Sequence, residues 1–150
     1  MPVLQAEAFW QFSLDYYARY QEPLLRLQDE SGLNVNILLL CLYLQEQHIR
    51  LSAQQFAGLR AAIRSTEALL APLRTVRRQT KAHDEEAYLL LQKAELALEK
   101  RQQRQLCVNL AEVDNYLKQP PEGPNNLQRY CQAEGRDPAC LRALLSLLQG

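Results

Sequence analysis

The chain has 150 residues, 47% hydrophobic and 23% charged, with 17 acids matched by 17 lysines and arginines. That length suits one domain with a real core, and a zero net charge speaks against a polyanion-binding protein, which usually carries a net positive domain. Leu, Ala, Gln, Glu and Arg dominate while Val, Ile and Thr are scarce, so the composition reads all-α.

The first helix is expected over residues 5–19, where Phe9, Phe12, Leu14, Tyr16, Tyr17, Tyr20 and Trp10 make a wide aromatic face at helical spacing. Pro23 suits the first turn of a short second helix, 23–30, and Gly32 suits its left-handed cap. Asn34 is a natural N-cap for a third helix, 34–47. That helix holds eight consecutive apolar residues, Ile37 to Leu44, too few for a membrane span, which needs about 20. A helix apolar on all sides is buried on all sides, so it is the expected hub of the core.

Ser52 and Gln55 have the form of a capping box and open the next helix, with Phe56, Leu59, Ala62 and Ile63 on one face. The apolar positions continue through Leu69, Leu70, Leu73 and Val76, and Pro72 is expected to kink or break this segment. Asp84, Glu85 and Glu86 mark the start of a long helix running to about residue 118. It has two apolar stripes, Leu90-Leu91-Ala94-Leu98 and Leu106-Leu110-Val113-Leu117. The "EKRQQRQ" between them (99–105) is polar all round and expected to face solvent. A proline-rich linker, 119–126, precedes a C-terminal helical hairpin. Its second helix starts at Asp137-Pro138 and carries Leu141, Leu144, Leu145 and Leu148. That hairpin is too small to stand alone, so it docks on the main body or on a second chain.

Charge is unevenly spread: six acids and two bases in residues 1–49, seven bases and one acid in 50–83, ten acids and eight bases in 84–150. The simplest reading is internal pairing of the basic region with acidic neighbours. Cys41, Cys107, Cys131 and Cys140 form no CxxC pair and no zinc-type grouping with His48 and His83. The N-terminus has no basic flank followed by an apolar stretch, so no signal peptide is expected and a reduced, cytoplasmic setting is the default.

Two clusters could carry chemistry. Arg74, Arg77, Arg78 and Lys81 share one helical face and could bind an anion or nucleic acid, or pair with Asp15, Asp29 and Glu30. Asp29, Glu30, Asn34 and Asn36 flank the turn into the hub helix, where caps and turn bonds explain most of them. Asn36 is the exception: inside a buried helix it needs a partner, and an arginine of the 74–78 face is the candidate. Cys41 reads as an inert core thiol, His48 as a residue placed near a helix C-terminus, and Cys131 with Cys140 as packing. Trp10, Phe12, Tyr16 and Tyr17 read as core rather than a stacking platform.

The stretches "FWQFSLDYYAR", "LQDESGLNVNILLLCLYL", "LAPLRTVRRQTK" and "KAELALEK" resemble a family of small, intracellular, all-helical proteobacterial proteins known only as a domain of unknown function. The resemblance covers about residues 8–110. Its most specific element is the Asp29-Glu30 pair followed by Gly32-x-Asn34-Val35-Asn36 and the apolar run. It supports an all-helical fold and implies no catalytic residue or cofactor. The expected architecture is an all-α helical bundle around a buried central helix, with one long helix and a C-terminal hairpin. Its divisions are a core domain over 1–118, a linker over 119–126 and the hairpin over 127–150. No nucleophile–base pair or metal-ligand set is visible. The leading expectation is therefore a non-catalytic protein-interaction or adaptor module, with a protein partner or self-association. The alternative is a small anionic-ligand-binding protein or enzyme with a site between Asp29/Asn36 and Arg74/Arg77/Arg78. Nucleic-acid contact through the basic face is the weaker alternative.

Overall fold

The segments expected at 5–19 and 23–30 form one helix, α1 (Ala6–Ser31), bent at Tyr20, whose φ of −122° and ψ of 28° leave the helical region. Pro23 is the cause. It offers no amide to the Arg19 carbonyl and its ring presses on that carbonyl, so the chain yields one residue further on. Gly32 closes the helix at φ 69°, and its amide donates to the Gln28 carbonyl. This computed structural model describes residues 5–111, 123–139 and 141–149.

The apolar run is α2 (Val35–Glu46). Asn34 caps it, its side-chain oxygen accepting from the Ile37 amide at 2.9 Å. Residues 36–42 and Leu44 are all buried, and α2 packs against α1 along its length. Phe9, Phe12, Tyr16 and Tyr43 stack in this seam, with ring centroids 5.2–5.5 Å apart. Of the N-terminal aromatic set, Trp10 is buried, and Phe12, Tyr16 and Tyr17 are partly buried and packed against the core. Trp10 and Tyr17 stand on the other side of α1 and line a cleft.

Ser52 and Gln55 form the capping box, with bonds of 3.1 and 2.8 Å, and open α3 (Ala53–Ala62). The next break falls at Ile63, not at Pro72. Helix α4 (Arg64–Thr80) runs continuously through the proline. Pro72 faces solvent, so water can satisfy the Ala68 carbonyl that loses its amide partner, and no neighbour holds the helix in a bend. Ile63, by contrast, is buried and anchors the turn between the two helices.

Helix α5 (Glu85–Ala111) returns antiparallel to α4, and the two make the most extensive helix pair among the described residues. The part of the long helix expected over 112–118, including Val113 and Leu117, lies outside the described residues, as do linker positions 119–122 and Cys140. The polar middle of α5 does not face solvent as expected: Gln102 is 0% and Gln103 1% exposed. Leu90 of the first apolar stripe is 59% exposed instead.

Asn126, expected to end the linker, begins α6 (Asn126–Ala133) and is fully buried. Its side chain accepts from the Leu51 amide at 2.9 Å and donates to the Ile49 carbonyl at 2.8 Å, satisfying the backbone between α2 and α3. Asp137 and Pro138 form a turn, with the Asp137 carboxylate accepting from the Ala139 amide, and regular helix α7 is described over Arg142–Gln149. Helix α6 packs on α2 and α3, and α7 on α1. Leu127, Tyr130, Leu145 and Leu148 join the same apolar core as α2. The fold is all-α, with no strand and no helix long and apolar enough to cross a membrane among the described residues.

Candidate functional site

Side chains from four helices meet in a buried polar layer. Gln102 sits at its centre. Its amide oxygen accepts from Asn36 at 2.9 Å and from Asn34 at 3.0 Å, while its nitrogen donates to Thr66 and Glu67, both at 3.0 Å. Asn34 also donates to Glu67 at 2.6 Å, and its backbone amide donates to the Tyr130 hydroxyl at 2.9 Å. Asn36 donates further to the Glu99 carbonyl at 3.2 Å. Gln103 donates to Asn36 at 3.0 Å and to Ser13 of α1 at 2.8 Å. The partner of Asn36 is therefore an amide layer of α5, not an arginine. A primary amide matches another amide donor for acceptor without burying a charge.

Above this layer a cleft of about 500 Å³ opens between α1 and the α4–α5 hairpin. Its α1 wall is the stripe Trp10, Leu14, Tyr17, Gln21, Leu25 and Gln28, and Leu39 and Asn36 of α2 contribute to it. Leu96 answers from α5. Leu14 is 42% and Leu96 48% exposed, so two leucines face the cleft without cover.

The basic stripe forms the α4 wall, already paired. Arg74 lies 3.5 Å from Glu95 and 3.6 Å from Glu99, and Arg77 donates to the Glu95 carboxylate. Burial on its own would lower the Arg77 pKa, but the bond and charge of Glu95 outweigh it and the net shift is upward. Burial, with Glu95 nearby, holds the Glu99 carboxyl above its usual range. Arg78 pairs with Asp29 at 3.4 Å, both side chains more than half exposed. Lys81 stands 5.7 Å from the Tyr88 ring centroid. Of the eight residues singled out from the sequence, Asn36, Arg74, Arg77 and Arg78 line the cleft. Asp29 reaches its edge only through Arg78, Glu30 pairs with Arg26 on its own helix, and Asn34 belongs to the buried layer.

The expected pairing thus exists with different partners: the arginines meet α5 acids more than N-terminal ones. Ser13, Glu95, Glu99, Gln102 and Gln103 were missed. One signal was present. Leu91, Leu98, Gln102 and Leu106 fall at i, i+7, i+11 and i+15, so Gln102 continues an inward apolar stripe.

The buried thiols offer no nucleophile. Burial pushes Cys41 well above the usual thiol range and raises Cys107 and Cys131 to about 11. No group of three or more His, Cys, Asp or Glu suited to a metal ion exists among the described residues.

No curated protein and no solved structure matches the chain. One family does, over residues 8–106, a span that contains every cleft residue named above and all of the polar layer except Tyr130. The chain belongs to the family described as "Protein of unknown function (DUF2390)".

Proposed function

We propose that the chain is a non-catalytic protein-interaction module of the cytoplasm, whose cleft receives an amphipathic helix of a partner protein. The observation that carries this reading is the shape of the cleft. Its α1 wall follows positions i, i+4, i+7, i+11, i+15 and i+18 from Trp10 to Gln28, roughly 27 Å along the contour of a helix bent at Tyr20. A long apolar trough between helices fits a helix laid along it better than a compact ligand. Arg74 and Arg77 already face Glu95 and Glu99, so the α4 wall is close to neutral and selects an apolar, uncharged face. The same pairing weighs against phosphate or nucleic acid as the occupant.

The test is selection from a displayed library of helical peptides. Enriched peptides should carry apolar residues at i, i+3 or i+4, and i+7. They should lose at least about tenfold in affinity on Leu14→Glu or Leu96→Glu. Both side chains are half-exposed, so circular dichroism should show the fold intact. Failure to enrich such peptides, or binding indifferent to both substitutions, would refute the proposal.

A second reading, a small ligand in the same cleft, is favoured by one atom. The Gln103 side-chain oxygen is buried and has no hydrogen-bond partner among the described residues, and Gln103 contributes to the cleft lining. A ligand with an N–H or O–H donor would complete it. Thermal-shift screening of neutral compounds against wild type and Gln103→Leu separates the two readings.

A further inference from the structure

The α4–α5 hairpin has a second side, turned away from the cleft. Leu69, Leu73 and Val76 fall at i, i+4 and i+7 on α4, and Leu90, Ala94 and Ala97 at the same spacing on α5. None of them lines the cleft. Leu69 is 56%, Val76 48% and Leu90 59% exposed. Between Ser65 and Val76 the only charges on α4 are Glu67 and Arg74, and both are engaged on the inner side of the hairpin. Two neighbouring helices therefore offer one continuous uncharged apolar face. A four-helix bundle buries a face of this kind between two helical hairpins.

Charge along α5 says what the other half is. Glu85 and Glu86 are exposed at the hairpin tip, and Arg101 and Arg104 are exposed toward its base. No ion pair engages any of the four among the described residues. Glu86 and Arg101 are separated by about 22 Å along the helix. Ala94 lies at the middle of that interval and is small enough for two helices to approach closely there. Lys93, one residue and about 100° round the helix, is turned to the rim.

We infer that a second copy of this chain covers the outer face of the hairpin, antiparallel to the first, about a two-fold axis near Ala94. A two-fold axis there sets the acidic tip of each protomer against the basic base of the other. It also sets Leu90 of each copy against Ala97 of the other, and Leu69 toward Val76. A parallel arrangement would oppose like charges at both ends. This contact uses the side of the hairpin opposite the cleft and is independent of what the cleft binds.

Size exclusion with light scattering on the full chain at about 100 μM should give a dimer, and Leu69→Glu or Leu90→Glu should give a monomer of unchanged helicity. The decisive arm uses charge. The double variant Glu85→Arg/Glu86→Arg should weaken self-association, as should Arg101→Glu/Arg104→Glu. Mixing the two variants should restore a dimer containing one of each, since every tip then meets a base of opposite sign. A wild-type monomer at that concentration would overturn the inference. So would a dimer that survives both leucine substitutions, or variants that fail to associate when mixed.

Discussion

Gln102 engages four partners with one amide, and those partners come from two stretches, 34–36 and 66–67, that lie 35 to 68 positions earlier in the chain. Removing it leaves Asn34, Asn36, Thr66 and Glu67 short of bonds in a largely buried layer. Gln102→Ala should cost about 3 kcal/mol in urea unfolding, whereas Arg101→Ala, one residue away and exposed, should cost little. Equal costs would show that the layer adds nothing beyond helix propensity. Glu99 makes a pH prediction. Burial first, then Glu95, holds its carboxyl above the usual range, so the folded chain takes up that proton more readily than the unfolded one. The stabilisation this gives is complete below the unfolded value near 4.5 and is lost as pH rises through the raised folded pKa. Glu99→Gln abolishes the titration. Stability measured from about pH 4 to about pH 7 should therefore shift in the variant's favour as pH rises. A difference constant across that range would contradict the assignment.

At the scale of single helices, much was legible. Gly32, Asn34 and the Ser52–Gln55 pair mark ends correctly because capping is local chemistry: a side chain and an amide two or three residues away. The hub helix was equally plain, since eight apolar residues in a row leave no face for solvent. The break at Ile63 was not legible, because neither Gly nor Pro marks it and only burial holds it. The middle of α5 misled for a related reason. A polar residue reads as exposed until its partners are known, and the partners of Gln102 and Gln103 come from 35 to 90 positions away. For the candidate site, the sequence picked out four lining residues of the cleft and Asp29, which pairs with Arg78, but not Glu95 and Glu99, which neutralise Arg74 and Arg77. Which face of α5 meets which face of α4 is decided by packing. Pro72 yields a prediction at this scale. With the helix continuous and the ring in solvent, Pro72→Ala restores an amide donor to the Ala68 carbonyl. It should stabilise the fold by up to about 3 kcal/mol in thermal or urea unfolding. Destabilisation would show that the proline shapes α4 after all.

The molecule as a whole is closed by its tail. Arg136 donates to the Ser31 carbonyl at 2.9 Å, supplying the cation that the last turn of α1 lacks. Arg129 reaches the Leu51 carbonyl, Arg60 the Ala133 carbonyl, and the Tyr16 hydroxyl the Leu148 carbonyl. Tyr130 is almost fully buried and stacks on Phe56 at 5.6 Å. A chain ending at residue 118 would expose Phe56, Leu51 and the α1–α2 aromatic seam. It should melt without a cooperative transition, while the same chain with residues 123–150 added in trans should recover one. Sharp two-state unfolding of the short chain alone would show that the tail is dispensable.

The amide layer also governs how the hairpin can move. Sliding α5 by one helical turn would bring Leu98 or Leu106 opposite Asn34 and Asn36, and both would lose the Gln102 amide. Shear of α5 past α2 is therefore costly, and rotation is the cheaper motion. The cleft widens most readily when the hairpin swings as a rigid lever. Gln102 then serves as its fulcrum and the tip, near residues 81–84, travels furthest.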